Sequence, residues 1–263
     1  MKEELIIVKV GGAIIENDES LGSFLEAFVK LKGKKVLVHG GGKVATKLAE
    51  DLGIEAQMID GRRITDDPMI DVVIMTYGGL LNKKIVAKLN AMEVKSIGLT
   101  GADGKCMISK KRPVQNGIDY GWVGDIESID VDFLKSLVDD EIIPVLAPIT
   151  YDAEGHLLNT NADTIGSEVA IALSLNFDTT LNFIFDQKGV MKDLNDPASL
   201  VRSIDLHTYE RLKGEHVITD GMIPKMDNAF YTLKSGVSEI RLLNVHALLN
   251  LQKPDFDEYT RIH

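Results

Sequence analysis

Three consecutive glycines and a lysine, residues 40–43 in the segment KVLVHGGGK, carry the most specific local signal of this sequence. The apolar run at 36–38 precedes them and an apolar-periodic segment starts at Val44, which predicts a strand, a turn and a helix. Glycine lets a ligand lie directly against the main chain, and the amides of the turn and of the helix N-terminus favour an anion. We therefore expect a phosphate or a carboxylate to bind at this turn.

The same turn fits two other descriptions. Gly40, Gly42 and Ala45 match the loose dinucleotide-binding fingerprint, with Asp60 downstream as the ribose ligand. A tight strand-to-helix turn can also need glycine for its backbone alone. The spacing excludes a Walker A loop, because that loop has four residues between its glycines and a Ser or Thr after its lysine. From these residues, phosphate binding, dinucleotide binding and a structural turn all remain open.

Two lysines stand where predicted elements begin or end. Lys9 is at the carboxyl end of the apolar strand predicted at 5–10, where open α/β sheets place their ligands. A solvated lysine is an equal alternative there. Lys225 falls in the first turn of the helix predicted at 222–235, where a positive charge opposes the helix dipole. Bound phosphate would account for Lys225, and solvent exposure is the alternative.

Polar side chains in two loops offer partners for a substrate acid. One of Arg62 and Arg63 can form a bidentate fork with a carboxylate, although a pair of surface charges is the alternative. Asn159, Asn161 and Asp163 alternate in the loop LLNTNAD, which puts all three on one side of the chain. Helix capping explains only one of these three residues.

The elements that position these residues alternate along the chain. Strands are predicted at 5–10, 36–38, 96–101, 107–113, 120–129, 142–149, 180–185 and 239–245. Helices are predicted at 21–29, 44–52, 68–92, 130–138, 165–173, 205–212, 222–235 and 246–251. The pair 107–113 and 120–129 is expected to form an antiparallel excursion around the turn Asn116-Gly117.

Composition limits the classes of function. The chain has 263 residues, 44% hydrophobic and 26% charged, enough for one large domain or two lobes. Its net charge of −11 argues against nucleic acid or an anionic membrane as a partner. Cys106 is the only cysteine and the six histidines lack metal-ligand spacing. No secretory signal or membrane-spanning stretch is expected, so we predict a cytoplasmic protein.

Five motifs occur together and in order: VKVGGA, VLVHGGGK, GRRIT, LLNTNAD and TDGMIPKM. With them the chain resembles the amino acid kinase family over nearly its whole length, and within it the branch that phosphorylates N-acetyl-L-glutamate. The resemblance implies an α/β fold, a three-layer α/β/α sandwich around an open, mainly parallel sheet. It also implies an N-terminal lobe, 1–176, for the acylated amino acid and dimerisation, and a C-terminal lobe, 177–263, for ATP. A homodimer joined partly through the helix at 68–92 is expected.

The resemblance also assigns roles to residues. Lys9 and Lys225 would contact the transferring phosphoryl group, and Asp163 would hold both lysines in place. The residues implied to bind the acidic substrate are Gly41, Gly42, Arg63, Asn159 and Asn161. The residues implied to bind the nucleotide are Gly11, Gly12, Asp186, Lys188 and Gly189. The segment FDQKG at 185–189 departs from the hydroxyl-rich loop of the family. Mg²⁺ would be held mainly by the nucleotide phosphates of Mg-ATP, with no metal site on the protein.

The chemistry of a carboxylate acceptor agrees with these residue types. A side-chain carboxylate has a pKa of about 4 and is already ionised, so no general base is needed. Alignment and positive charge around the phosphoryl group are what the site must supply. N-acetyl-L-glutamate is the expected substrate. N-succinylglutamate, with its extra carboxylate near Lys110, Lys111 and Arg112, and an aminoadipate-type acid are alternatives, as are a nucleotide-dependent oxidoreductase and a non-catalytic amino-acid sensor.

Overall fold

The computed structural model of this protein describes residues 2–59, 62–196, 198–219 and 222–263. The chain forms two compact units, one of Val36–Ile165 and one of Met1–Lys35 with Gly166–His263. These units group the first strand with the C-terminal residues, whereas the predicted lobes divided at 176. The assignment of substrate and nucleotide to separate lobes stays a prediction. Asp60 and the pair Asp220 and Gly221 of the last motif lie outside the described residues.

Fourteen strands and ten α-helices are found in the described ranges. The strands are β1 (Glu4–Val10), β2 (Lys34–His39), β3 (Met58–Ile59), β4 (Arg62–Arg63), β5 (Ser96–Leu99), β6 (Met107–Lys111), β7 (Gly124–Ile129), β8 (Ile143–Leu146), β9 (Ile149–Tyr151), β10 (Leu157–Asn159), β11 (Asp178–Ile184), β12 (Ser203–Ile204), β13 (Glu239–Leu243) and β14 (Thr260–Ile262). The helices are α1 (Gly12–Glu16), α2 (Asp18–Lys30), α3 (Gly42–Asp51), α4 (Asp67–Val73), α5 (Asn82–Ala91), α6 (Val131–Asp139), α7 (Ala162–Ser174), α8 (Leu206–Gly214), α9 (Ile223–Lys234) and α10 (Val245–Asn250).

The unit of 36–165 contains a parallel sheet with the strand order β2, β8, β5. All four residues of β8 are buried, as expected for a parallel strand that is covered on both faces. A second sheet has the order β10, β9, β6, β7. Within it β6 and β7 are antiparallel, which confirms the predicted excursion. The strand predicted at 142–149 is in fact two strands, β8 and β9, of different sheets.

The helix predicted at 68–92 is not a single α-helix. It consists of α4, a π-helix at Ile74–Leu81, and α5. A π-helix adds a residue to each turn, so the faces that its side chains present no longer follow the α-helical period. Tyr77 and Leu81 lie in the same buried cluster as Ala45 and Ala49 of α3. Packing against α3 therefore coincides with the change of helical register.

The other unit contains a sheet with the order β12, β14, β13, β11, β1. Strands β1, β11 and β13 are parallel, with Lys9 of β1 in register with Phe183 of β11. The antiparallel partner of β13 is β14, and neither β14 nor β12 was predicted. These two strands have only three and two residues, too few for a pattern of hydrophobicity to stand out.

The predicted α/β class with a mainly parallel sheet is confirmed. Several predicted helix starts are also confirmed by their caps: Asp130 accepts from the amide of Phe133 at 2.9 Å, and Asp205 from that of Thr208 at 2.7 Å. None of the helices in the described ranges combines the length and the apolar character that crossing a bilayer requires.

Candidate active site

The glycine turn joins β2 to α3, as the sequence predicted. Gly41 is the N-cap residue of α3, with φ of 154° and ψ of 16°, a backbone conformation that side chains rarely adopt. A Cβ atom at Gly41 would fall 2.3 Å from Cδ1 of Leu81. No side chain caps α3, so the orphan amides of its first turn are available to a ligand. The turn therefore requires glycine and presents main-chain donors.

Arg63 lies next to this turn and is only 8% exposed. Its Nη2 donates to the carbonyl of Gly42 and to Oγ1 of Thr46, each at 2.8 Å. Its Nη1 approaches Sδ of Met69 at 3.9 Å. Within the described ranges, no carboxylate lies at ion-pair distance from Arg63. A buried guanidinium without a counter-ion is unfavourable, so this position calls for an anionic ligand.

The contacts of Arg63 restrict how it can hold that anion. A guanidinium has five N–H donors, and both of its bidentate edges include Nη2. One hydrogen of Nη2 points to Gly42 and the other to Thr46. The Nε hydrogen and one hydrogen of Nη1 are left for a ligand. A bidentate grip requires Nη2 to share or exchange one of these partners. The expected fork is therefore available only with such a rearrangement, whereas a single charged hydrogen bond needs none.

Asn159 and Asn161 reach the same cavity from the loop before α7. Asn159 donates from Nδ2 to Oγ1 of Thr65 at 3.0 Å, which fixes its amide group. Oδ1 of Asn161 accepts from the amides of Asp163 and Thr164 at 2.8 and 3.1 Å, so Asn161 caps α7. Among the described residues no acceptor is found for its side-chain NH₂ group, so both of these donors can serve a ligand.

The five residues predicted to bind the acid line one cavity of about 190 Å³ in the unit of 36–165. The structure thus brings Gly41, Gly42, Arg63, Asn159 and Asn161 together. Arg62, the alternative to Arg63 in the sequence, lines the cavity as well. The cavity also contains residues to which sequence reasoning assigned no role in binding the expected substrate: Tyr77, Arg112, Val123 and Thr160. Tyr77 lies in the π-helix, and the hydrophobic periodicity of the sequence did not predict a π-helix there. Arg112 was named only as one member of a charged run.

Tyr77 and Arg112, two further residues of this cavity, differ in their charge and in their partners. Burial raises the pKa of Tyr77, while the neighbouring charge of Arg63 lowers it. The phenol is thus neutral at physiological pH and remains a hydrogen-bond donor. Arg112 pairs with Asp125 through Nε at 3.0 Å and Nη2 at 2.5 Å, and its guanidinium lies 5.7 Å from the ring of Tyr120. Arg112 therefore already has a counter-ion, unlike Arg63.

Lys9 and Lys225 each lie next to Phe183 in the other unit. Lys9 lies beside Phe183 in the ladder of β1 and β11. The ammonium group of Lys225 is 5.6 Å from the ring centroid of Phe183 and 5.7 Å from that of Phe185. A Cβ atom added at Gly166 would lie 3.5 Å from Cβ of Lys9, an ordinary van der Waals distance. The two lysines predicted to act together therefore share one neighbour.

Gly11 and Gly12 follow β1, where the sequence placed them. Gly11 is the N-cap residue of α1, and its amide donates to the carbonyl of Ile184 at 3.1 Å. That amide is thus engaged within the sheet rather than offered to a phosphate. Gly12 begins α1, so its amide belongs to the orphan donors of a helix start.

The predicted nucleotide loop shows three different environments. Asp186 lines a cavity of about 370 Å³ together with Phe185, Asn244 and His246. Lys188 forms an ion pair with Glu258, Nζ to Oε2 at 2.8 Å. Gly189 is buried, and a Cβ there would fall 2.3 Å from Oγ1 of Thr260. Close packing against β14 therefore accounts for Gly189, and Lys188 has a partner in the protein.

Asp163 lies in the first turn of α7, because this helix begins at Ala162 and not at the predicted residue 165. In the part of the chain that the structure describes, no three His, Cys, Asp or Glu side chains come together as a metal site.

Comparisons with known proteins agree with the motifs. The sequence profile of the amino acid kinase family matches residues 4–244. The chain is 52% identical over 249 residues to an acetylglutamate kinase of Cytophaga hutchinsonii, covering 95% of this chain and 94% of that one. It is 50% identical over 238 residues to an acetylglutamate kinase of Parabacteroides distasonis, covering 90% and 93% of the two chains. The crystal structure of smu.665 from Streptococcus mutans superposes with a TM-score of 0.77 at 26% identity, covering 98% of each chain.

Proposed function

Because this chain belongs to the amino acid kinase family, we propose that it transfers the γ-phosphoryl group of ATP to the side-chain carboxylate of N-acetyl-L-glutamate, a step of arginine biosynthesis. The relatives at 52% and 50% identity bear the name of this activity and match almost the whole chain. The observation that carries the proposal is the buried Arg63, which lacks a described carboxylate partner and lies on a cavity beside an uncapped helix start.

The acid binds in the cavity of the unit 36–165. Arg63 receives its α-carboxylate through the donors that Gly42 and Thr46 leave free. The amides at the start of α3 receive the reacting side-chain carboxylate, since the helix dipole favours negative charge there. Asn159 and Asn161 hydrogen-bond the polar groups between the two carboxylates. Burial of two carboxylates is favourable only because each meets a cation or several N–H donors.

Phosphoryl transfer then needs no proton movement. An oxygen of the ionised side-chain carboxylate attacks the γ-phosphorus, the bond from that phosphorus to the β–γ bridging oxygen breaks, and ADP leaves with an acyl phosphate as the other product. Lys9 and Lys225 contact the transferring group and offset its charge, and Asp163 orients them. Preorganised donors of this kind typically supply the largest part of the rate enhancement.

The nucleotide binds to the unit that contains β1 and β11. Gly12 contributes an amide to the phosphates, Gly11 allows close approach, and Asp186, Lys188 and Gly189 form the nucleotide loop. Lys188 would have to exchange its ion pair with Glu258 for a phosphate, so we expect it to contribute less than the other residues. Mg²⁺, held mainly by the nucleotide phosphates rather than by a site on the protein, would offset their negative charge.

The acyl group is the least constrained part of the substrate. We favour acetyl, the group in the names of the relatives. N-succinylglutamate remains a second candidate because Arg62 and Arg112 also line the cavity and could receive a third carboxylate. Arg112 is already paired with Asp125, which weakens this candidate. An exposed Arg62 adds little, since solvent screens its charge.

Location in the cytoplasm and a homodimer complete the proposal. The π-helix exposes Met75 at 49% and Leu80 at 55%, which suits a partner surface on the segment predicted to join two subunits. The mass of the protein in solution, measured by light scattering for the wild type and for Leu80→Glu, tests the dimer. A monomeric wild type would contradict it.

An ATP-consumption assay across acidic amino acids tests the activity. Free glutamate, N-acetylglutamate, N-succinylglutamate and aminoadipate are compared, and the acyl phosphate is trapped with hydroxylamine. We expect N-acetylglutamate to give the highest kcat/KM and a stoichiometric hydroxamate. A tenfold preference for N-succinylglutamate, about 1.4 kcal/mol, would overturn the acetyl assignment. Binding of NAD(H) without ATP turnover would overturn the kinase itself.

A further inference from the structure

Three polar side chains, Lys83, Asn82 and His39, form a hydrogen-bonded chain that ends at the glycine turn, and none of them is among the residues that line the cavity. Nζ of Lys83 donates to Oδ1 of Asn82 at 3.2 Å, and Nδ2 of Asn82 lies 3.2 Å from Nε2 of His39. Nδ1 of His39 lies 2.9 Å from the carbonyl oxygen of Gly40. His39 is completely buried and Asn82 is 1% exposed. These hydrogen bonds connect the N-terminal start of α5 to the Gly40–Gly41 peptide of the turn.

The direction of each hydrogen bond follows from the groups at its ends. Nδ2 of Asn82 also donates to the carbonyl of Val145 at 2.9 Å, and Oδ1 accepts from Lys83, so the amide orientation is determined. Nε2 of His39 faces an N–H donor and must be the unprotonated nitrogen. Nδ1 then carries the proton and donates it to Gly40. The ring is held as a single neutral tautomer.

The charge state agrees with this geometry. Burial lowers the pKa of His39 to about 4, and the nearby charge of Lys83 acts in the same direction. A proton on Nε2 would also face the Nδ2 hydrogens of Asn82. The ring therefore stays neutral across physiological pH.

The site around Asn82 is closely built. A Cβ at residue 98 would fall 1.8 Å from Oδ1 of Asn82, so only glycine leaves room for this amide in β5. Lys83 also donates to the carbonyl of Gly98 at 3.0 Å, which ties the outer end of the chain to the same strand. Asn82 is the first residue after the π-helix, whose Leu81 packs on Gly41. One segment thus supports the turn through two neighbouring side chains.

The peptide between Gly40 and Gly41 connects this chain to the ligand. In a trans peptide the C=O and N–H groups point in opposite directions. Since the Gly40 carbonyl points to His39, the Gly41 amide points the other way, and Gly41 lines the cavity. A hydrogen bond accepted at the carbonyl also polarises the peptide and strengthens its N–H as a donor.

We propose that His39 and Asn82 are positioning residues, which fix and polarise the Gly40–Gly41 peptide so that the Gly41 amide is a preorganised donor to the reacting carboxylate. This inference rests on the proposed function for the identity of that ligand. It explains why a fully buried histidine precedes the glycines although it touches no substrate. It also gives the change to π-helical register a role, because the register sets Leu81 and Asn82 against the turn.

Kinetics of three variants test the proposal. His39→Leu removes the donor to Gly40, and His39→Asn restores an N–H close to the Nδ1 position. His207→Leu, at an exposed histidine of α8, is the matched control. We expect His39→Leu to lower kcat/KM for the acid roughly tenfold or more, with the KM of ATP unchanged, and His39→Asn to recover most of it. Equal losses of kcat/KM in His39→Leu and His39→Asn would overturn the positioning role. Equal effects of His39→Leu on the acid and on ATP would do the same.

Nuclear magnetic resonance tests these hydrogen bonds without any measurement of activity. Histidine ¹⁵N shifts between pH 5 and 8 should show a proton on Nδ1 of His39, none on Nε2, and no titration. Lys83→Met, a change at the partly exposed end of the chain, should shift the Gly41 amide proton. A proton on Nε2 or an unmoved Gly41 amide would refute the proposal. A wild type that phosphorylates no acid would instead contradict the proposed function. These spectra would then still test whether His39 and Asn82 position the Gly40–Gly41 peptide.

Discussion

Replacing Arg63 with lysine keeps a positive charge at the buried position but removes the planar set of donors. The guanidinium now makes two hydrogen bonds of 2.8 Å, to Gly42 and Thr46, and keeps further N–H groups for a carboxylate. An ammonium has three donors clustered on one nitrogen, at the end of a flexible four-carbon stem, and cannot serve all of these partners in the same geometry. Arg63→Lys should therefore weaken both the turn and the binding of the acid.

The size of the effect follows from the number of contacts. A hydrogen bond to a charged group contributes about 1.5–3 kcal/mol. Loss of the one that receives the substrate carboxylate should raise the KM of the acid roughly 10- to 100-fold, at about 1.4 kcal/mol for each tenfold step. The KM of ATP should change less than about threefold, because the proposed ATP contacts do not include Arg63. The free energy of unfolding should fall by about 1–3 kcal/mol if Gly42 or Thr46 loses its donor.

Initial rates with each substrate varied in turn, together with urea unfolding, measure these quantities. Calorimetric titration of the acid into the protein checks that the change in KM reflects binding. The neighbouring exposed residue provides the matched control, Arg62→Lys, for which we expect less than a threefold change with an acetylated substrate. Equal increases in KM for the acid and for ATP would refute the assignment of Arg63, as would a larger effect at Arg62.

Three further predictions concern separate parts of the chain. Lys9→Ala and Lys225→Ala should each lower kcat about 100-fold or more while the protein stays folded; near-normal turnover in either would remove that lysine from the phosphoryl site. Gly41→Ala should lower the free energy of unfolding by about 1–3 kcal/mol, since its Cβ would lie 2.3 Å from a leucine methyl, whereas Gly22→Ala, with open space around it, should not destabilise the protein in urea. Burial raises the pKa of the Cys106 thiol from 9.0 to about 12, so a thiol reagent should label the protein only when it unfolds. The free energy of unfolding should fall as pH rises above 9.0, because only the unfolded chain loses the thiol proton there.

Local features of the chain were predictable where a short segment contains its own cause. The strand, glycine turn and helix at residues 36–52 were predicted because apolar spacing and glycine conformation act within a few residues. The helix start at Asp130 was predicted because a capping carboxylate needs an amide only three residues away, and Asp205 caps its helix in the same way.

The grouping of the acid-binding residues required the motifs to be taken together. Arg63 and Asn159 are far apart in the chain, and only their occurrence in known motifs placed them in one cavity. Taken alone, the arginine pair favoured surface charges, and helix capping could explain one of the three polar residues Asn159, Asn161 and Asp163. The comparisons support the family, whereas the role of each residue still depends on the experiments above.

Tertiary structure alone decided the remaining features, because each depends on contacts that are distant in sequence. Arg63 meets Gly42 across 21 residues, which occupies donors that a fork would need. Gly11 donates its amide to the carbonyl of Ile184 of β11, so that amide is engaged within the protein. The π-helix that brings Tyr77 to the cavity lies where this segment packs against α3. The hydrophobic periodicity of one helix contains no information about the helix next to it.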